Sequence, residues 1–255
     1  MESIYKKLAA LEKSDGKGAL CTIVNCSGST PRKTGTKMLV YEDGSIFGTI
    51  GGGALEKTTI KNAIDIIKLR RANSFEHTLV QDLGMCCGGA LTIFIEPILN
   101  KKKLYIFGAG HIGKALAHFA SEVDFSVTVI DERPAELAPL KYNGIAVIHK
   151  KYSRAFNELN FNNNTFIAVI THDHAFDRDI VSFCANQPHQ YLGMIGSVRK
   201  VEIAKKAFKT GKKLTDQQMK AIDWPMGIEI DAITPKEIAI SILAKMIDVR
   251  SKSLA

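Results

Sequence analysis

The sequence has no apolar run approaching the ~18–20 residues of a membrane span, which excludes a transmembrane helix. Its opening residues, Met1-Glu2-Ser3-Ile4-Tyr5-Lys6-Lys7, lack the basic-then-apolar profile of a secretory signal, so a cytoplasmic location is expected. Cysteine is scarce and odd in number: Cys21, Cys26, Cys86, Cys87 and Cys184. Without an export signal, such a set does not make a disulfide framework. There is no arginine-rich helix and no basic stripe interleaved with aromatics, so the net charge of +8 does not point to nucleic acid. It suits a basic surface that handles a small anionic ligand or an acidic partner. No internal repeat and no low-complexity tract is present. What remains is a chain of 255 residues, 45 % of them apolar, long enough for one large domain or two ordinary ones.

The apolar pattern divides the chain at about residue 100. The first part opens with a short helix over 5–11. Strand-like runs follow at 19–24, 37–41 and 45–50, the last two joined by a Glu42-Asp43-Gly44-Ser45 hairpin turn. After Gly51-Gly52-Gly53 the pattern becomes helical, with Leu55, Ile60, Ile64 and Ile67 on one face. A strand over 90–97 closes this part, ended by Pro97, and 98–103 reads as a linker. From Leu104 strands and helices alternate, with strands at 104–107, 126–130, 146–149, 165–170 and 191–195. Thr234-Pro235-Lys236-Glu237 opens a last helix through a capping box. The expected fold class is α/β. A Rossmann-like parallel sheet with helices on both faces occupies 101–255, and a smaller α+β domain occupies 1–100.

The motif with most context is Gly108-Ala109-Gly110-His111-Ile112-Gly113, which follows an apolar strand and precedes an amphipathic helix. Gly108 permits the tight turn, Gly110 lets a phosphate approach the backbone, and Gly113 permits close helix packing. The helix start supplies N–H groups and partial positive charge. Asp131 stands 18 residues after Gly113, where a dinucleotide site places a ribose-binding carboxylate. Thr171-His172-Asp173-His174 lies where the fourth strand ends, at the edge where parallel sheets place ligands. His172 and His174 suit polar contacts to an anion, or a metal pair, although no third ligand lies at a recognisable spacing. Gly196 and Ser197 end the fifth strand ahead of Arg199 and Lys200, a second anion seat or simply a capped helix.

The first part holds less common elements. A hydroxyl-rich and basic loop, 27–37, contains Arg32. Gly51, Gly52 and Gly53 form a run whose N–H groups can make an anion nest, and Glu56 follows in the first helical turn. Cys86 and Cys87 sit between glycines, more accessible than core cysteines, as a reactive thiol or a soft metal ligand. Cys21 and Cys184 lie in apolar runs and read as buried small residues.

Six segments in this order resemble the XdhC/CoxI family, accessory factors of xanthine dehydrogenase and related molybdenum hydroxylases. They are Gly28-Ser29-Thr30-Pro31-Arg32, the stretch from Gly48 to Glu56, Met85-Cys86-Cys87-Gly88-Gly89, Phe107 to Gly113, Thr171 to His174, and Gly193-Met194-Ile195-Gly196-Ser197. The resemblance implies a factor that binds the molybdenum cofactor (molybdopterin), supports its sulfuration by a cysteine desulfurase, and delivers it to an apo molybdenum hydroxylase of the xanthine dehydrogenase type. It implies a chaperone rather than the oxidoreductase, whose length and iron–sulfur cysteine motifs are missing here. Many relatives carry Cys where this chain has Ala54, which moves weight to Cys86 and Cys87 as candidate molybdenum contacts. On this reading the phosphate falls to the 108–113 turn and the Arg32 loop, and a pterin edge to Glu56 or Asp131. A homodimer is compatible with such a chaperone.

The residues leave two other readings open. An NAD(P)-dependent oxidoreductase would use the same turn and Asp131, with His111 or His172 as acid or base. A metal-storage or metal-sensing module would use His172, His174 and the cysteines.

Overall fold

The computed structural model describes residues 3–14, 16–84, 88–98, 101–143, 145–211 and 213–252. The chain divides into two compact units with the boundary between Asn100 and Lys101.

The first unit runs α1 (Ile4–Lys13), β1 (Gly18–Ser27), β2 (Lys37–Tyr41), β3 (Ile46–Gly48), α2 (Gly53–Leu69), β4 (Asn73–Thr78), α3 (Leu79–Leu83) and β5 (Ala90–Ile98). Its antiparallel sheet has the order β3-β2-β1-β5-β4. Alternate residues of the central strands, Ala19, Cys21, Ile23, Ile93 and Ile95, have no exposed surface and face α2. The buried stripe of α2 is Leu55, Thr59, Ala63, Ile66 and Ile67. Ile60 and Ile64, expected on that face, sit half-buried on its flank. Small Thr59 and Ala63 take the centre, and the Thr59 hydroxyl donates to Leu55 O at 2.8 Å, so no polar group is stranded. Asp43 accepts from the Ser45 N–H and hydroxyl in the hairpin turn between β2 and β3.

Two strand features differ from the sequence pattern. β4 has no counterpart there, because Asn73-Ser74-Phe75-Glu76-His77-Thr78 carries little apolar periodicity. It is an edge strand, where polar and charged residues guard against further pairing. Pro97 does not end β5; it pairs opposite Ala19. Pairing with β4 stops at Ile95, so Pro97 has a neighbour on one side only, where a missing N–H is tolerated.

The second unit runs β6 (Lys102–Phe107), α4 (His111–Ser121), β7 (Phe125–Asp131), α5 (Pro134–Tyr142), β8 (Ala146–His149), α6 (Tyr152–Ala155), β9 (Thr165–Val169), α7 (His174–Cys184), β10 (Tyr191–Met194), α8 (Val198–Thr210), α9 (Asp216–Ala221) and α10 (Pro235–Lys252). β6 starts two residues before Leu104, because Lys102 pairs with Phe125 and its ammonium bonds Asn164. All neighbours in the sheet are parallel, in the order β10-β9-β6-β7-β8. Counted from the unit's own first strand this is 3-2-1-4-5 reversed end for end, the Rossmann order.

Side chains alternate across the sheet. Leu104, Ile106, Val127, Val129, Phe166 and Ala168 pack against α4, α5 and α10 on one face. Tyr105, Phe107, Ile167, Val169 and Leu192 pack against α6, α7 and α8 on the other. Helices therefore cover both faces. The capping box of α10 forms: Glu237 accepts from Thr234 N–H at 2.8 Å, and Thr234 Oγ1 accepts from Glu237 N–H at 3.3 Å. α10 then buries Ala239, Ile242 and Met246 in the cluster that holds Leu116 and Ala117 of α4.

Leu116 has no exposed surface, so Leu116→Ala should cost about 2–5 kcal/mol through the cavity it leaves. Thr234→Ala should cost about 1 kcal/mol through the lost cap. Urea unfolding followed by circular dichroism measures both, and equal effects would contradict the burial difference.

Candidate functional site

The connection from β6 to α4 is the most constrained turn in the second unit. Gly108 has φ +114°, and a Cβ there would lie 2.1 Å from Ile170 O, at the end of β9. A Cβ on Gly113 would lie 2.0 Å from Gly108 O. These two glycines serve backbone packing. Gly110 differs: a Cβ there meets nothing within 4 Å. Gly110 is also the N-cap of α4, and having no side chain it makes no capping bond to the helix start. Space is therefore open beside the start of this 11-residue helix, and His111 is exposed there. This is the geometry in which a helix start receives an anion.

Asp131 is fully buried at the end of β7. Its Oδ2 accepts from Ala109 N–H at 2.7 Å and from Arg133 Nη2 at 2.7 Å, and its Oδ1 accepts from Arg133 Nε and N–H, each at 2.9 Å. Burial pushes this carboxyl up, but the Arg133 side chain and the two backbone N–H groups outweigh it and hold it below the usual range. The fork-to-fork geometry is the strong form of such a pair. Any ligand hydroxyl reaching Asp131 would compete with Arg133, a residue that no sequence motif marks.

The loop after β9 is organised by a second buried carboxylate. Asp177 on α7 is 1 % exposed and accepts from Thr171 N–H at 3.1 Å, Thr171 hydroxyl at 2.6 Å and His174 Nδ1 at 3.1 Å. Burial pushes Asp177 above the ordinary carboxylate range, against the lowering pull of Thr171 and His174. Asp173 caps α7 by accepting from Ala175 N–H. His174 and Asp177 line a cavity of about 180 Å³ together with Met194, Ile195 and Lys200. The structure thus joins the 171–174 loop to the end of β10. Ser197 caps α8, its Oγ accepting from Lys200 N–H at 3.4 Å, and Gly196 has only ordinary contacts around it. His172 stacks edge-on with Phe176. Among the described residues no three His, Cys, Asp or Glu side chains converge as a metal site requires.

One further polar group stands at this edge. Tyr152, the first residue of α6, is 4 % exposed and its hydroxyl has no hydrogen-bond partner among the described residues. An unpaired buried hydroxyl costs about 1–3 kcal/mol. Its ring packs edge-on against Phe107, just before Gly108, and against Phe176. The bland sequence Lys151-Tyr152-Ser153 carries no signal of it.

In the first unit, three separated segments converge. A Cβ on Gly51 would lie 2.6 Å from Pro31, and one on Gly89 would lie 2.4 Å from Ser29 O and 2.5 Å from Ser27 O. The loop carrying Arg32 is therefore pressed between the glycine run and the start of β5. Arg32 is exposed, and its carbonyl accepts from the Thr30 hydroxyl and Cys26 Sγ. Gly51, Gly52 and Gly53 all have positive φ. Their N–H groups turn partly onto the chain's own anion: Glu56 Oε1 accepts from Ile50 N–H at 3.1 Å, Gly52 N–H at 2.9 Å and the Thr49 hydroxyl. Burial raises Glu56, yet the bonds from Thr49, Gly52, Ile50 and Gly51 together bring it below the ordinary value. Burial pushes the Cys21 thiol up to about 12 and raises Cys184 as well, as inert core thiols. Cys86 and Cys87 lie outside the described residues.

Two outcomes follow from this geometry. Gly108→Ala should cost at least about 2 kcal/mol of stability, whereas Gly110→Ala should cost about 1 kcal/mol or less; chemical denaturation of both variants separates the packing glycine from the open one. Asp177 has a folded-state pKa above its unfolded one, so it adds stability as pH falls through that raised value. Asp177→Asn keeps an acceptor for Thr171, and its stability relative to the parent chain should decline from about pH 7 to about pH 4. A difference that ignores pH would remove Asp177 as a buried ionising group.

Two family models match the chain: the XdhC Rossmann domain over residues 104–246, and the XdhC and CoxI family over residues 11–77. The uncharacterized protein YqeB of Escherichia coli (strain K12) is 31 % identical over 257 residues, covering 98 % of this chain and 47 % of YqeB. A probable xanthine dehydrogenase subunit of Bacillus subtilis (strain 168) is 30 % identical over 161 residues, 63 % of this chain and 46 % of that protein. The molybdenum cofactor insertion chaperone PaoD of Escherichia coli (strain K12) is 30 % identical over 93 residues, 35 % of this chain and 29 % of PaoD. The chain spans about half the length of the first two relatives and under a third of the last. With its Rossmann match alone covering more than half of the sequence, the chain belongs to the XdhC and CoxI family.

Proposed function

We propose that the chain is an accessory factor that binds the molybdenum cofactor, supports its sulfuration and delivers it to a xanthine dehydrogenase-type hydroxylase. The observation that carries this reading is the start of α4, uncapped and open at Gly110. It suits a phosphate, the anionic end of molybdopterin. The names of two relatives, one a molybdenum cofactor insertion chaperone and the other a xanthine dehydrogenase component, support the cofactor and the recipient. The donor set fits the group: backbone N–H groups at 110–113 for the phosphate, and a cavity lined by Met194, Ile195 and Ile203 with His174 and Lys200 at hand for a flat heterocycle with polar edges. Gly196, Ser197 and His172 are further contacts at this edge on this reading, and Arg32 and the glycine run Gly51–Gly53 are the candidate cofactor contacts of the first unit taken by itself. Cys86 and Cys87 are the proposed contacts to molybdenum, a soft centre that accepts thiolate. Bound, the cofactor supplies its own metal–dithiolene chemistry; the chain's residues hold and orient it. A cysteine desulfurase and the apo-hydroxylase are the partners this role requires.

A second reading, an NAD(P)-dependent oxidoreductase, is favoured by the Rossmann strand order. Against it stands Asp131, whose two oxygens are already engaged by Ala109 and Arg133.

The test is anaerobic titration of the whole chain with molybdopterin and, separately, with NADH. Molybdopterin should bind, Gly110→Val should weaken it at least about tenfold by filling the open space, and sulfuration should fall in Cys86→Ala or Cys87→Ala. Tight NADH binding without molybdopterin binding would sink the proposal, and unchanged sulfuration in both cysteine variants would remove the thiol role.

A further inference from the structure

We propose that the Tyr152 hydroxyl is a ligand contact, donating a hydrogen bond to a neutral carbonyl or hydroxyl oxygen of the phosphate-bearing cofactor seated at the start of α4. This rests on the reading of the 110–113 N–H groups as a phosphate seat. Tyr152 is 4 % exposed, and no described residue pairs with its hydroxyl. The fold gains nothing from that oxygen: the ring contacts to Phe107 and Phe176 would be the same for phenylalanine. Buried polar groups in folded proteins are otherwise paired, so a partner from outside the chain is the simplest account.

The surroundings say which partner. Tyr152 follows β8 and packs on Phe107, the residue before Gly108, and on Phe176, which in turn touches His172. The Tyr152 ring thus lies between Phe107, which leads into the glycine turn, and Phe176, which follows the 171–174 loop. Burial above all, with the charge of Asp131 and those of Glu132 and Asp177, outweighs the opposing pull of Arg133 and keeps the phenol protonated, hence a donor. Asp131 and Asp177 do not accept from it, because Ala109 and Arg133 occupy the first, and Thr171 and His174 the second. α4 and α6 lie on opposite faces of the sheet, so the phosphate at the start of α4 is not the group that Tyr152 meets. The acceptor is therefore a neutral oxygen further along the ligand, and Tyr152 reads the organic part while α4 holds the phosphate.

The experiment compares the full chain with Tyr152→Phe by thermal melting without ligand, and by anaerobic calorimetric titration with pyrophosphate, molybdopterin and NADH. The variant should melt at or above the parent temperature, since an unpaired group is removed. Its pyrophosphate affinity should be unchanged, and its affinity for the organic cofactor that binds should fall about tenfold. A melting temperature lowered by several degrees would show a structural partner and overturn the proposal. Equal affinity of parent and variant for the organic cofactor, or an equal loss for pyrophosphate, would overturn it too. A tenfold loss seen for NADH, with no molybdopterin binding, would overturn the proposed function while keeping the role of Tyr152. No binding of either organic probe to the parent chain would remove both.

Discussion

Gly108 and Ile170 meet where the sheet changes direction of winding, and this backbone contact sets the geometry of the second unit's open edge. Gly108 N–H donates to Ile130 O, and Ile170 N–H donates to Phe107 O, each at 2.8 Å. The ladder thus holds the turn from both sides one residue beyond the strands. A side chain at 108 would collide with Ile170, so the two ends could not close up. From this point α4 leaves to one face and the 171–174 loop to the other, because the crossovers from β6 and β9 run to opposite sides. A crevice between them is then unavoidable. The Ala109 N–H bound to buried Asp131 ties the turn to β7 as well.

The carboxylates near the candidate sites share a habit that alters what a ligand can find there. Glu56 and Asp177 accept from backbone N–H groups of the loops just before their helices, and Asp131 from Arg133 in its own loop and Ala109 in the neighbouring turn. Each fixes a loop that would otherwise bury unpaired donors. What remains for a ligand is weighted towards donors: the uncapped start of α4, Lys200 and the Tyr152 hydroxyl. That balance agrees with a net charge of +8 and with an anionic ligand rather than a cation. It also explains why a glycine run able to form a nest in the first unit turns partly inward: Glu56 is the anion nearest to hand.

Much of this was legible in the sequence, and the exceptions share a cause. Alternating apolar strands and helices specified the Rossmann half, and Asp43-Gly44 and Thr234–Glu237 specified a turn and a cap, because each rests on residues within four positions of one another. β4 escaped because an edge strand needs little apolar periodicity. On α2 the pattern favoured Ile60 and Ile64, but the sheet took Thr59 and Ala63, since close approach rewards small side chains over large ones. Arg133 and Tyr152 had no local signature; their meaning comes from Asp131 and from an absent partner. The meeting of 28–32 with Gly51 and Gly89 joins segments distant along the chain, and only their glycines hinted at a close approach.

On the proposed reading the chain must bind a cofactor against water and still release it. A seat made of helix N–H groups meets that demand better than a charged clamp would. Each N–H bond to a phosphate replaces a bond to water at modest net gain, and the helix start contributes a partial charge of about half a unit. Arg133 commits its Nε and Nη2 donors to Asp131, which offsets its charge at the crevice. On the proposal above, Tyr152 would add selectivity without adding charge, since its hydroxyl is buried and protonated. On the same proposal the cost of that selectivity falls on the free chain, in which no described residue pairs with the hydroxyl.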